Sequence, residues 1–338
     1  MGRNQEREHR TKQGLAGHRL LPVLLAGLFI VSLAIDRFEL LDPYVQLIVM
    51  YIGINIILTV SLNLVNGYMG EFSVGHAGFM AVGAYTASFL TVKVLPVHLA
   101  AWFFPLAVIA GGLAAAAIGL LVAVPSFKTR GDYLAIVTLA FGMIVKSAVE
   151  NIDALGGPRG FLGMEKLTSL PWVFFWVVFS LWVIRNLIYS NFGRGVLSIR
   201  EDEAASALMS VNTKQVKVLA FAVSSFFAGI AGGLFAHLLQ FINPRTFDII
   251  KSTDILIMVY LGGIGSLAGS ILGATVYTVI LEVLRPLGVW RMVFMPLLLV
   301  ILMLYRPKGI TGLREFPWFI PFRDRLAGTL SREEGREP

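Results

Sequence analysis

Long apolar runs separated by short polar stretches set the pattern of this chain. The runs are Leu20–Ile35, Tyr44–Leu64, His76–Thr91, Leu99–Val124, Tyr133–Val149, Pro171–Tyr189, Val218–Leu239, Ile255–Leu284 and Met292–Tyr305. Several reach the roughly 20 residues that carry a helix across a bilayer core. Backbone groups in lipid must find partners inside the protein, so runs of this length predict helices. The expected fold is all-α, a polytopic transmembrane bundle of about 8–9 apolar segments forming one membrane domain.

Counting crossings shows that one run is irregular. With the N-terminus inside, six crossings return the chain to the cytoplasm before Ser190, whereas nine would leave the basic C-terminal tail outside, against the positive-inside rule. Leu261-Gly-Gly-Ile-Gly-Ser266 interrupts the run Ile255–Leu284, and glycines both weaken a helix and permit unusual backbone angles. This run is expected to be broken or re-entrant, near the outer half of a transport path. The other candidate is His76–Thr91, short and preceded by the glycine-rich Gly67–Gly75. Gly265, Gly269 and Gly273 recur every four residues, and Ala228, Gly229, Gly232 and Gly233 form a second small face. Such faces predict close helix packing in lipid. No internal repeat is evident.

Between the sixth and seventh runs lies Asn191–Ser206, a helix-forming stretch with charges of both signs in a chain that has few elsewhere. It reads as one helix from about Val196 to Met209, with Val196, Ile199, Glu203 and Ala207 on one side and Arg200, Ala204 and Leu208 alongside. Arg200 and Glu203 have the i,i+3 spacing of an ion pair. Small Ala204, Ala205 and Ala207 suit a helix seated in a partner's groove. The plainer reading is an interfacial helix lying on the membrane.

Composition agrees with a membrane protein: 56% of residues are apolar and 14% charged, against roughly 25% charged in soluble domains. The net charge of +7 is topological rather than a sign of nucleic-acid binding. Arg3, Arg7, Arg10, Lys12 and Arg19 precede the first run, Lys128 and Arg130 share a short loop, and Arg194, Arg200, Lys214 and Lys217 surround the charged stretch. Arg306, Lys308, Arg314, Arg323 and Arg325 follow the last run. These positions mark cytoplasmic loops and place both termini of a multi-pass membrane protein in the cytoplasm. The N-terminus has the layout of a signal peptide and is read as an uncleaved first span, since its basic region is long. Cysteine is absent, which excludes disulfides and thiolate chemistry. No phosphate loop or metal-ligating cluster is present in the sequence, so no catalytic residue, metal or cofactor is expected.

Polar groups within apolar runs are the candidate path residues. Ser73, Gly75 and His76 begin the third run, Thr86 follows two to three turns later, and Gly262, Gly263 and Gly265 belong to the break. A histidine such as His76 also serves simply in helix–helix hydrogen bonding. Lys146 and Glu150 have the spacing to neutralise each other. Asn151, Gly156, Gly157 and Gly160 form a tight outer loop, open to a binding protein or merely a connection. Arg185, near a span end, is placed to snorkel. Trp318, Phe319 and Phe322 in the tail suit the membrane interface.

Four blocks resemble the permease subunits of bacterial ABC importers for branched-chain amino acids, specifically the M-type of two paired permeases. They are Gly67-Tyr-Met-Gly-Glu-Phe-Ser-Val-Gly-His-Ala-Gly-Phe-Met-Ala-Val-Gly-Ala-Tyr85, Thr129–Gly142, Gly193-Arg through Ile199-Arg-Glu-Asp-Glu-Ala-Ala205 with Lys217 and Ala228–Gly232, and Leu261–Ser266 with Arg306-Pro-Lys-Gly309. Together they cover roughly residues 40–313. The resemblance implies a second permease in a heterodimer, two cytoplasmic ATPase subunits, a periplasmic or extracellular substrate-binding protein and membrane lipid as partners, with no nucleic acid. It implies that Gly193, Arg194, Ile199, Arg200, Glu201, Glu203, Ala204 and Ala205 couple the permease to the ATPases. The chain departs from the pattern at Ser210, where glycine is usual, at Met143, where glutamate is frequent, and at Leu155, where threonine precedes the two glycines.

The domains follow: a basic N-terminus over 1–19, a permease domain over 20–305 with a coupling loop at 190–217, and a tail over 306–338. The function expected is translocation of branched-chain or similar apolar amino acids, with hydrolysis supplied by separate subunits. Urea or short amides fit the low internal charge equally. An ion-gradient carrier would need midplane carboxylates, for which Lys146, Asp254 and Glu282 are the deep charged candidates, all near span ends. A membrane enzyme finds no nucleophile–base pair.

Overall fold

A computed structural model describes residues 26–38, 40–127, 133–305, 309–312 and 315–316. The basic N-terminus, Lys128, Thr129, Arg130, residues 306–308 and the aromatic tail lie outside the described residues. Residues 26–38 form α1. It is followed by α2 (Pro43–Asn63), α3 (His76–Phe89), α4 (Val97–Ser126), α5 (Tyr133–Glu150) and α6 (Leu170–Ile188). Two short helices, α7 (Asn191–Glu201) and α8 (Glu203–Leu208), precede α9 (Thr213–Leu239), α10 (Ile249–Gly262), α11 (Leu267–Val283) and α12 (Arg291–Tyr305). Among the described residues there is no strand, only a bridge between Phe161 and Ile242. Among the described residues, six helical segments are long and apolar enough to cross a membrane: Pro43–Tyr68, His76–Val94, Ala101–Ser126, Tyr133–Glu150, Leu170–Ile188 and Thr213–Leu239. The protein is a polytopic helical membrane bundle.

The break expected in one run is present. Ile255–Leu284 is two antiparallel helices, α10 and α11, joined through Gly263 (φ 131°) and Gly265 (φ 75°). Both angles lie in a region costly for side chains carrying a Cβ. Splitting one run into two makes the number of segments even, so α1 begins and α12 ends at the bundle end that carries α7 and α8. We call this the near end. The break also lies at the near end, beside Gly67 and Arg200, and so at the same end as α7–α8 rather than at the opposite end expected from the sequence. The chain turns there because Gly262 meets Gly269 and Gly273 with no side chain between them, a Cβ on Gly262 falling 2.0 Å from Gly269 O. Gly265 itself stands in the turn and is not part of the Gly269–Gly273 helix face.

The core is built around α9, which packs against α2, α3 and α4. Small residues permit it: a Cβ on Gly232 would lie 1.9 Å from Met80 O, and one on Gly83 would lie 2.1 Å from Gly229 O. The small face expected at 228–233 is therefore a packing face. Facing the α10–α11 hairpin, α2 presents a polar ladder at four-residue spacing. Asn55 Nδ2 donates to Thr278 Oγ1 (2.9 Å), Thr59 meets Met258, and Asn63 Nδ2 donates to Ser266 O (3.0 Å) and Ser270 Oγ (2.7 Å). Asn63 Oδ1 accepts from Gly265 N at 2.9 Å, which satisfies the backbone of the turn.

Candidate functional site

Ser190 caps the start of α7, its Oγ accepting from Gly193 N at 3.2 Å. The single helix expected over 196–209 is in fact two. Asp202 is extended (φ −159°, ψ 112°) and caps α8 by accepting from Ala205 N at 3.0 Å, a local bond that competes with helix continuation. The break alters the geometry expected of the segment. Val196 and Ile199 are buried against the bundle, while Glu203 and Ala207 are exposed. Arg200 and Glu203 do not pair. Arg200 Nη1 donates to Gly67 O (3.1 Å), and Glu203 pairs with Lys217 Nζ (2.8 Å).

These contacts reach two unwound stretches of the bundle. Lys217, its side chain 7% exposed, also pairs with Glu71 at 2.5 Å. Glu71 stands near the start of the non-helical segment 70–75 that leads from the π-helix Leu64–Tyr68 into α3. Non-helical backbone at membrane depth survives only where protein satisfies it, and here three helices do so. Asn66 Oδ1 accepts from Ser73 N (3.2 Å), Thr138 Oγ1 from Val74 N (3.1 Å) and Ser252 Oγ from Ala77 N (3.3 Å). Arg200 meanwhile lies against Gly67, Gly70 and Gly265. A single short segment thus holds both breaks. Glu315 completes the arrangement by accepting from Leu267 N (2.8 Å) and Ala268 N (3.0 Å) at the start of α11.

The eight residues expected to couple divide by direction. Gly193 and Ile199 are buried, Gly193 because a Cβ would lie 2.0 Å from Ile188 O. Arg200 and Glu203 reach back into the bundle. Arg194, Glu201, Ala204 and Ala205 face outward, joined by Leu208 and Met209, which are 87% and 81% exposed. An outward apolar pair flanked by small residues is a surface fit for a partner.

The path candidates are less united. His76 is buried and bonds Ser61 Oγ at 2.8 Å, a helix-to-helix bond. Ser73 is buried within the non-helical segment and Thr86 is half-buried on α3. Gly75 alone lines a cavity, of about 110 Å³, with Gly142, Lys146 and Ser252. Gly262, Gly263 and Gly265 pack on backbone at the near end. Lys146 and Glu150 form no ion pair among the described residues. A larger cavity of about 970 Å³ opens at the far end between α2, α10, α11 and α12, lined by Tyr51, Asn55, Lys251, Asp254, Tyr277 and others. Of these only Asp254 was singled out from the sequence. Asn55 and Tyr277 are polar positions inside apolar runs, and that signal was available; Lys251 lies between two runs and carried no such signal.

The family described as branched-chain amino acid transport system / permease component matches residues 44–304. The chain belongs to this family. It is 35% identical over 292 residues to the high-affinity branched-chain amino acid transport system permease protein LivM of Escherichia coli, covering 76% of this chain and 67% of the relative. A probable LivM of Methanocaldococcus jannaschii is 23% identical over 79% of this chain and 92% of its own. LivH of Salmonella typhimurium is 30% identical over a shorter stretch, 41% of this chain and 47% of its own. No solved structure matches. The family is one of permease components and not of enzymes. At the end of α8 the chain holds Ser210 at φ 64°, where glycine is favoured.

Proposed function

We propose that this permease is one of two membrane subunits of an ATP-driven importer for branched-chain or similarly apolar amino acids. In this reading the near end faces the cytoplasm and both termini lie there. Two ATPase subunits dock on the outward side of α7–α8, through Arg194, Leu197, Glu201, Ala204, Ala205, Leu208 and Met209. A second, LivH-like permease completes the pore, and a binding protein delivers substrate to the far end. The observation that carries the reading is the two-sided construction of α7–α8. Its outer side is exposed and mixes the charges of Arg194 and Glu201 with Leu197, small alanines, Leu208 and Met209, while its inner side grips the bundle through Arg200–Gly67 and Lys217–Glu203–Glu71. A segment moved by a soluble partner would thereby move both unwound stretches. The relatives' names, and the mostly apolar interior, support a substrate with an apolar side chain.

The test is to extract the chain from its native membrane in mild detergent and identify its companions by mass spectrometry, then to measure uptake of labelled leucine against urea. Two nucleotide-binding subunits, a second permease and leucine uptake are expected. A chain that emerges stable and alone, with uptake following an ion gradient without ATP, overturns the proposal.

A further inference from the structure

The far-end cavity narrows from an exposed rim to a buried floor. Tyr44 and Arg285 are exposed at the rim, whereas Asn55 is 3% exposed at the floor. Its volume of about 970 Å³ falls in the range of small-molecule sites, roughly 300–1,000 Å³. Two opposite charges stand one turn apart on its α10 wall. The Lys251 ammonium lies 5.6 Å from the Tyr51 ring centroid and 5.7 Å from that of Phe235. Asp254 accepts a hydrogen bond from the Tyr277 hydroxyl. Asn55 spends its amide N–H on Thr278, and its Oδ1 is buried with no partner among the described residues. A buried acceptor left open at a cavity floor calls for a donor from a ligand. Leu47, Ile48 and Met295 supply apolar lining beside the charges.

We propose that this cavity binds a free α-amino acid as its zwitterion, Lys251 receiving the carboxylate, Asn55 Oδ1 and Asp254 the ammonium, and the apolar lining the side chain. An incoming carboxylate supersedes the ring faces because charge attracts charge more strongly than it attracts a quadrupole. Uncharged urea and short amides meet neither pole of the site. The inference rests on the importer reading and adds the contacts by which substrate is recognised inside the permease itself.

The chain contains no cysteine, so Ile48→Cys on the cavity wall carries its only thiol. The intact transporter bearing this variant is labelled with a small water-soluble thiol reagent in proteoliposomes. Leucine is expected to slow labelling. Leucinamide, which lacks the carboxylate, and isovalerate, which lacks the ammonium, should need at least tenfold higher concentration, and urea should not protect. Lys251→Met should raise the protecting leucine concentration at least tenfold, and Lys251→Arg should restore part of it. Equal protection by leucine and leucinamide, or no protection by leucine, overturns the site. Either result obtained while ATP-driven leucine uptake persists leaves the importer reading standing. The ligand series in the Lys251 background decides the matter if Lys251→Met does not fold.

Discussion

Replacing Lys217 by methionine removes the cation that joins α8 to the non-helical segment before α3. The side chain is 7% exposed and bridges Glu71 at 2.5 Å and Glu203 at 2.8 Å, carboxylates 23% and 53% exposed. Breaking a buried pair from one side costs about 3–5 kcal/mol, whereas an exposed pair contributes about 0–1 kcal/mol. Glu203 can turn to water and Glu71 much less, so the loss should be about 1–3 kcal/mol. A contact present in one of two transport states shifts their balance by the same energy, roughly 5–150-fold. Lys217→Met should therefore lower ATP-driven leucine uptake by about tenfold or more. The ATPases should still co-purify, because the outward residues Ala204, Ala205, Leu208 and Met209 are untouched. A double-mutant cycle on thermal stability in detergent should give Lys217–Glu71 a larger coupling than Lys217–Glu203. Uptake within twofold of the parent, with no coupling in either cycle, would refute the claim that this ion triad transmits motion.

Substitutions at four other positions test the architecture. Asn63→Leu leaves Gly265 N without its acceptor and should lower thermal stability in detergent by about 1–3 kcal/mol, the cost of an unsatisfied buried group; an unchanged melt would mean the turn finds another partner. Gly232→Val should cost about 1–3 kcal/mol or more by overpacking against Met80 O at 1.9 Å. Gly142→Ala, with nothing within 4 Å of its new Cβ, should gain about 0.5–1 kcal/mol from helix propensity; equal melts for the two variants would contradict the packing. Ser210→Gly relieves a left-handed serine costing about 1–2 kcal/mol against about 0.5–1 kcal/mol of glycine entropy. The net gain of up to about 1 kcal/mol should appear as a higher melting temperature, and Ser210→Val as a lower one.

Legibility varied with the range of the interaction. Apolar runs marked every long helix, because length and hydropathy are local properties. The glycine break at 261–266 was legible for the same reason, but its depth was not. Depth is set by contacts more than 130 residues away in sequence, such as Arg200 to Gly67, which no local pattern encodes. The expected Arg200–Glu203 pair failed because spacing alone cannot reveal Asp202 as a cap. Each partner then found a better site in the bundle. Lys217 was read as a loop charge and as part of a motif, since a lysine at the start of a helix shows no partner until its two carboxylates are folded onto it.

The polar ladder on α2 was the signal most readily available and unused. Asn55, Thr59 and Asn63 stand four apart inside an apolar run, the spacing of one helix face. Polar side chains on one face in lipid have to be met by a neighbouring helix. The ladder spans about 12 Å at 1.5 Å per residue. Its upper rung, Asn55, is the floor of the far-end cavity, and its lower rung, Asn63, holds the α10–α11 turn that Arg200 touches. The face of α2 that seats the hairpin therefore runs from the proposed substrate contacts to the segment proposed to meet the ATPases. In the proposed reading, a displacement of α7–α8 that loosens Gly265 would act first on Asn63, and the continuous helix α2 would carry that change to Asn55. Coupling by this route requires no charge to cross the bundle, which agrees with an interior whose ionised groups are gathered at its two ends.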